Sequence, residues 1–141
     1  MNDGWNTEEI RIRYKDTDRM GVVYYGNYLT FFEVGRSGYM RELGYPYAQL
    51  EGAGNALAVI EAWAKYHSNA GYDALIRVKT AVTEIRGARI RFDYEIYSED
   101  NRLLVTGYTV HACVGADNSR PKRLPEPLIG VLKDKIIKGS R

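Results

Sequence analysis

The chain has 141 residues, 45% of them hydrophobic, and 20 basic side chains against 18 acidic ones. That length suits one domain with a sizeable core, and a formal net charge of +2 gives no basic field dense enough to argue for nucleic acid. No stretch has the length and apolarity of a membrane span, the polar opening MNDGWNTEEI is not a secretory signal, and a lone cysteine, Cys113, fits a reducing compartment. The expectation is a cytoplasmic protein of one domain, residues 1–141, with its core over about 8–115 and a C-terminal helix over about 127–137.

In chain order, Met1–Asn6 reads as a loose lead-in. Thr7–Tyr14 alternates as a strand with Ile10, Ile12 and Tyr14 on one face. Lys15–Gly21 is turn chemistry carrying two carboxylates, Asp16 and Asp18. Apolar residues at helical spacing, Tyr28, Phe31, Phe32, Gly35, Tyr39 and Leu43, predict a helix over Asn27–Leu43, with Asn27 as N-cap and Gly44 as C-cap. Gly35 and Gly38 lower helix propensity, which suggests close backbone approach. Tyr45–Leu50, which bears a proline, reads as a single helical turn. Ala56–His67 is a second strand, and the clash of phase between Leu57 and Val59 on one side and Ile60, Ala62, Ala64 and Tyr66 on the other predicts a bulge near Ile60.

Three more strands follow, joined by tight turns: Ile76–Ile85, with Ile76, Val78, Thr80 and Val82 on one face; Arg89–Tyr97, with Ile90, Phe92, Tyr94 and Ile96; and Leu103–Val114, with Leu104, Thr106, Tyr108, Val110, Ala112 and Val114. Leu128–Ile137 is a short amphipathic helix, and Lys138–Arg141 reads as frayed. Hairpin-linked strands demand an antiparallel sheet, and one long apolar helix beside it gives an α+β fold with the sheet curling around the helix. Twelve tyrosines suit strands that are packed on one side and wet on the other.

The chemistry gathers where the acidic turn meets the helix start. The arrangement reads as an acyl-transfer site: such a reaction needs a base to activate water or a carboxylate nucleophile, and an ionised Asp18 can serve as either. A helix N-terminus supplies unpaired N–H groups for the developing oxyanion. Against this stands the plain reading of Asp18 as a turn residue, which pattern alone favours. Asp16 is expected to orient the loop, and Glu33 to bond a nearby arginine. His67 and His111 have no metal-ligand partner at useful spacing, so no metal or cofactor is expected. His111 reads as a half-exposed strand residue and Cys113 as inert. Arg120, Lys122 and Arg123 read as a solvated cluster.

The segment YKDTDRMGVVYYGNYLTFFEVGR, followed by MREL and Gly44, resembles the opening of the hotdog-fold 4-hydroxybenzoyl-CoA thioesterase family, and YDALIRVKTAVTEIRGARIRFDYEIY resembles its two central strands. The resemblance implies a hotdog fold, a five-stranded antiparallel sheet wrapped around a long central helix, assembled as dimers with a continuous sheet and often as tetramers. It implies hydrolysis of a short-chain aliphatic or aromatic acyl-CoA without a metal. Asp18 matches the catalytic carboxylate, Tyr25 the position whose N–H polarises the thioester carbonyl, and Tyr14 a tyrosine that some members use beside the aspartate. Relatives linked to the Tol–Pal cluster carry a histidine where this chain has Tyr25, so no histidine base is implied here. Arg86 and Arg89 match a region that contacts CoA phosphates, and Tyr24 and Tyr28 would line the acyl site. An acyl carrier protein is the other candidate donor of the acyl group. The rival reading is a module that binds acyl-CoA or acyl carrier protein without turnover.

Overall fold

Strict period-2 alternation places the centre of the sheet. The computed structural model describes residues 3–137, so the expected fraying of Lys138–Arg141 lies outside the described residues. Its strands are β1 (Asn6–Arg11), β2 (Asn55–Tyr66), β3 (Leu75–Arg86), β4 (Arg89–Ser98) and β5 (Leu103–Gly115). They form one antiparallel sheet in the order β1-β3-β4-β5-β2. Ile76, Val78 and Val82 of β3 and Ile90, Phe92, Tyr94 and Ile96 of β4 all point inward, onto α1 (Asn27–Leu43). This is the expected α+β arrangement.

The bounds of α1 are those that the spacing predicts, and Gly44 ends it in the left-handed region at φ 92°. Gly35 and Gly38 serve close approach, as expected: a Cβ at Gly35 would strike the Thr80 hydroxyl and Val78, and one at Gly38 the Glu8 carboxylate. The backbone of the helix therefore lies directly on side chains of β3 and β1. Phe32 stacks on Tyr94 with ring centroids 4.2 Å apart, and Tyr39 meets Phe92 edge-on at 5.9 Å.

Elsewhere the structure corrects the pattern. β1 ends at Arg11, not Tyr14, because the Asp16 carboxylate accepts the Arg13 N–H at 2.8 Å and folds Tyr14–Asp16 into a 3₁₀ turn. Tyr14 is consequently swung outward. The N-cap of α1 is Gly26 rather than Asn27. β5 presents the opposite phase: Val105, Gly107, Thr109, His111 and Cys113 face the core, and Thr106, Tyr108 and Val110 do not. The cause is a register shift where Ile96 pairs with Val105 but Tyr97 with Leu103, which buries Leu104 and Val105 in succession. His111 is thus a core residue, not a half-exposed one. The short helix α2 spans Tyr47–Gly52. The last helix, α3 (Glu126–Leu132), starts before Leu128 with Pro127 in its first turn, and stops well short of Ile137, whose N–H instead bonds Val82 O at 3.1 Å. Val82 borders a β3 bulge that the alternation does not announce.

β2 is the outermost strand on one side. Its register slips between Val59 and Glu61, where the bulge at Ile60 is expected. Most of its residues are exposed, among them Val59, Ile60, Trp63 and Tyr66.

Candidate active site

Between β1 and α1 the chain makes a small hairpin. Thr17 pairs with Val23, Asp18 N–H donates to Val22 O at 2.9 Å, and Gly21, at φ 79°, closes the turn. Asp18 sits at its tip, exposed, with Oδ1 accepting the Met20 N–H at 2.8 Å. Among the described residues Oδ2 accepts no hydrogen bond. One oxygen fixes the carboxylate and the other faces outward.

Asp16 has the opposite character. It is buried, and its backbone oxygen accepts the Tyr24 N–H and the Asn27 side-chain amide, each at 2.9 Å. It orients the loop, as expected, and Asn27 ties that loop to the first turn of α1.

The N–H groups of Asn27, Tyr28 and Leu29 donate to the carbonyls of Tyr24, Tyr25 and Gly26 at 2.9, 3.2 and 3.3 Å. The hydrogen-bonded spiral therefore begins early, and the N–H groups left unbonded among the described residues are those of Tyr25 and Gly26. They stand at the positive end of the helix dipole. A free donor at Tyr25 is what oxyanion stabilisation requires.

The loop between β2 and β3 backs this arrangement. Val23 N–H donates to Ala70 O at 2.9 Å, and Val22 bridges Gly71. The Asn69 amide donates to Val23 O, and its oxygen accepts from Ala70 N–H at 2.8 Å and from the Tyr28 hydroxyl at 2.5 Å. Burial pushes the Tyr28 phenol up to about 12, so it remains a donor. Tyr28 thus clamps the wall of the site rather than lining its open part. Sequence reasoning missed Asn69, since nothing in the stretch Ser68–Asp73 distinguishes one polar loop residue from another.

The open part is aromatic. Tyr24 lies against Tyr25 with centroids 4.7 Å apart, Tyr25 against Tyr66 of β2 at 6.1 Å, and Tyr66 against Tyr28 at 5.8 Å. Tyr66 was not singled out by the sequence, because β2 and the hairpin are far apart in the chain. Tyr14 does not join: its ring packs edge-on against Tyr72 at 5.9 Å, and among the described residues its hydroxyl donates no hydrogen bond to Asp18. Arg86 and Arg89 do not join either. They flank the β3–β4 turn, on a surface groove of about 400 Å³ shared with Glu61, Glu84 and Arg91. The base of β3, Leu75, lies next to Ala74, which pairs with Ile12 beside the hairpin. Eleven strand steps at about 3.3 Å each put Arg86 roughly 35 Å from that end.

Residues 12–132 match the model of the thioesterase-like superfamily. The chain belongs to that superfamily. Among proteins it resembles is acyl-CoA thioesterase YbgC of Haemophilus influenzae, 35% identical over 128 residues, covering 89% of this chain and 93% of that one. Among solved structures, the DHNA-CoA thioesterase of Staphylococcus aureus superposes with a TM-score of 0.87 at 36% identity, covering 93% of this chain and 89% of that one. A 1,4-dihydroxy-2-naphthoyl-CoA thioesterase from Synechocystis does so at 0.84 and 25%, covering 93% and 97%. The sheet and helix are the hotdog fold, and this superfamily member is a thioester hydrolase. The module without turnover gives way to an enzyme.

Proposed function

We propose that the protein hydrolyses an aromatic acyl-CoA, with Asp18 as its catalytic carboxylate and the Tyr25 N–H as its oxyanion donor. The observation that carries this is the pairing of a half-free carboxylate with an unbonded helix-start N–H on the two sides of one hairpin. The carbonyl oxygen of the thioester accepts from Tyr25 N–H. Asp18 takes a proton from water, and the hydroxide adds to the carbonyl carbon. The oxyanion collapses, the C–S bond breaks, and the thiolate leaves with the proton to give free acid and CoA. Direct attack by Asp18 would give a mixed anhydride that water then opens, from the same geometry. The ring cluster of Tyr24, Tyr25 and Tyr66 favours a flat acyl group, as does the name of the naphthoyl-CoA relative.

The reading includes a second copy of the chain. Among the described residues β2 has no strand on its outer edge, and it exposes Val59, Ile60 and Tyr66, the last of these against Tyr25 at the site. Arg86 at the end of β3 and Arg89 at the start of β4 stand too far from the hairpin to hold the CoA bound at their own Asp18, so their phosphate contacts would serve a site on another subunit.

The test is thiol release from a panel of acyl-CoAs with wild type and Asp18→Asn in parallel. Turnover lost by at least about 10³-fold in a folded variant is expected; an active Asp18→Asn protein sinks the assignment.

A further inference from the structure

Two carbonyls decide whether the start of α1 keeps its free donors. The hydrogen bonds that open the helix run from each N–H to the carbonyl three residues back: Asn27 to Tyr24, Tyr28 to Tyr25 and Leu29 to Gly26. One more such step would join Gly26 N–H to Val23 O, and the next would join Tyr25 N–H to Val22 O. Gly26 is ready for it, since its φ of −63° and ψ of −24° are already helical. Neither bond forms, because both carbonyls are aimed at partners outside the helix. Val22 O accepts the Asp18 N–H at 2.9 Å, and Val23 O accepts the Asn69 side-chain amide at 3.3 Å.

The two captures differ in kind. Val22 O is held main chain to main chain, inside the hairpin that carries Asp18. Val23 O is held by a side chain, so a single residue controls it. The neighbours of Asn69 fix which way its amide points. Ala70 N–H can only donate, so it must face Oδ1, and the Tyr28 hydroxyl donates to the same oxygen. The Nδ2 group is thereby left toward Val23 O. Arg102, in the turn between β4 and β5, donates to the Asn69 main-chain oxygen at 3.4 Å and steadies the loop from behind. Through its side chain Asn69 therefore joins the hairpin, the first turn of α1 and its own loop.

We propose that Asn69 is a positioning residue for thioester hydrolysis: by holding the Val23 carbonyl away from the helix it keeps Gly26 N–H unbonded and Tyr25 N–H aimed at the substrate oxygen. Once released, that carbonyl would be taken by Gly26 N–H, the spiral would grow by one step, and Tyr25 N–H would turn toward Val22 O. Asn69 itself touches no reacting atom. The inference rests on the thioesterase reading for its reaction. The experiment uses the ester of the acyl-CoA panel that turns over fastest, with wild type, Asn69→Asp and Asn69→Ala. Asn69 lies on an exposed loop, so both variants should fold. Asn69→Asp keeps the acceptor for Ala70 N–H and Tyr28 and removes only the donor; Asn69→Ala removes the donor without adding charge. Both should lower kcat by about tenfold or more with KM within about twofold. Backbone amide exchange followed by NMR should slow at Gly26 by about tenfold or more in both, because a newly bonded N–H is protected. A merely structural role gives other results: Asn69→Asp retains kcat, or exchange at Gly26 is unchanged or faster. Either overturns the inference and leaves the thioesterase reading, which Asp18→Asn tests, intact. A kcat loss confined to Asn69→Asp belongs to the added charge and overturns it too. If wild type cleaves no ester, the thioesterase reading falls and exchange at Gly26 decides alone. Slowing there upholds Asn69 as the residue that keeps these N–H groups free, and no slowing overturns that as well.

Discussion

β4 and β2 are both long strands of one sheet, yet they live in different surroundings. β4 has a neighbour on each edge and α1 over its inner face, so its large side chains are sealed. β2 has β5 on one edge and nothing described on the other, and its Val59, Ile60 and Trp63 stay at the surface. By sequence β2 is the more apolar of the two, yet it is the more exposed; the difference is what covers them. Apolar residues on β4 stabilise the monomer, and those on β2 would gain comparably only if a second copy covered them, as proposed above.

The sharpest way to break that contrast is a charge on β2. Ile60→Lys should leave the chain folded but monomeric in analytical ultracentrifugation, and cut thioester turnover by at least about 100-fold if the site needs a second copy. An active monomer would separate the edge from the chemistry. Phe92→Ala on β4 should cost about 3–5 kcal/mol of unfolding free energy, measured by urea titration. Its ring is fully buried between Tyr39 and His111. A smaller effect concerns His111, whose pKa burial, first of all, and the Arg36 charge lower from 6.5 to about 4. The folded state therefore holds it neutral where the unfolded chain takes up a proton. Stability is complete above about pH 6.5 and falls as pH drops toward 4, by roughly 3 kcal/mol in all. His111→Gln should flatten that part of the pH–stability curve. Smallest is Val59→Ala on β2, expected to change the stability of the dissociated chain by under about 0.5 kcal/mol.

These two strands also show what a sequence can disclose. β4 was legible because every second residue is large and apolar. The β2 bulge was legible because its apolar residues fall out of step at Ile60. β5 misled because its phase is set by how Leu103 and Val105 pair with β4, a relation between segments that alternation within one segment does not contain. The same limit hid the site's support. Asp18 and the helix start lie within one stretch and could be read together, whereas Asn69 and Tyr66 come to the site from distant parts of the chain. Tyr14 failed for a local reason: the Asp16 carboxylate captured the Arg13 N–H and turned the strand before it reached that residue.

The length of β3 has a genetic consequence. If Arg86 and Arg89 serve the Asp18 of another subunit, a chain lacking Asp18 and a chain lacking Arg89 are damaged in different halves of a shared site. Mixed in one dimer, the two bad halves fall together in one site and the two intact halves in the other. Co-expressed Asp18→Asn and Arg89→Ala chains should then recover up to half the activity per mixed dimer, from parents that each have little.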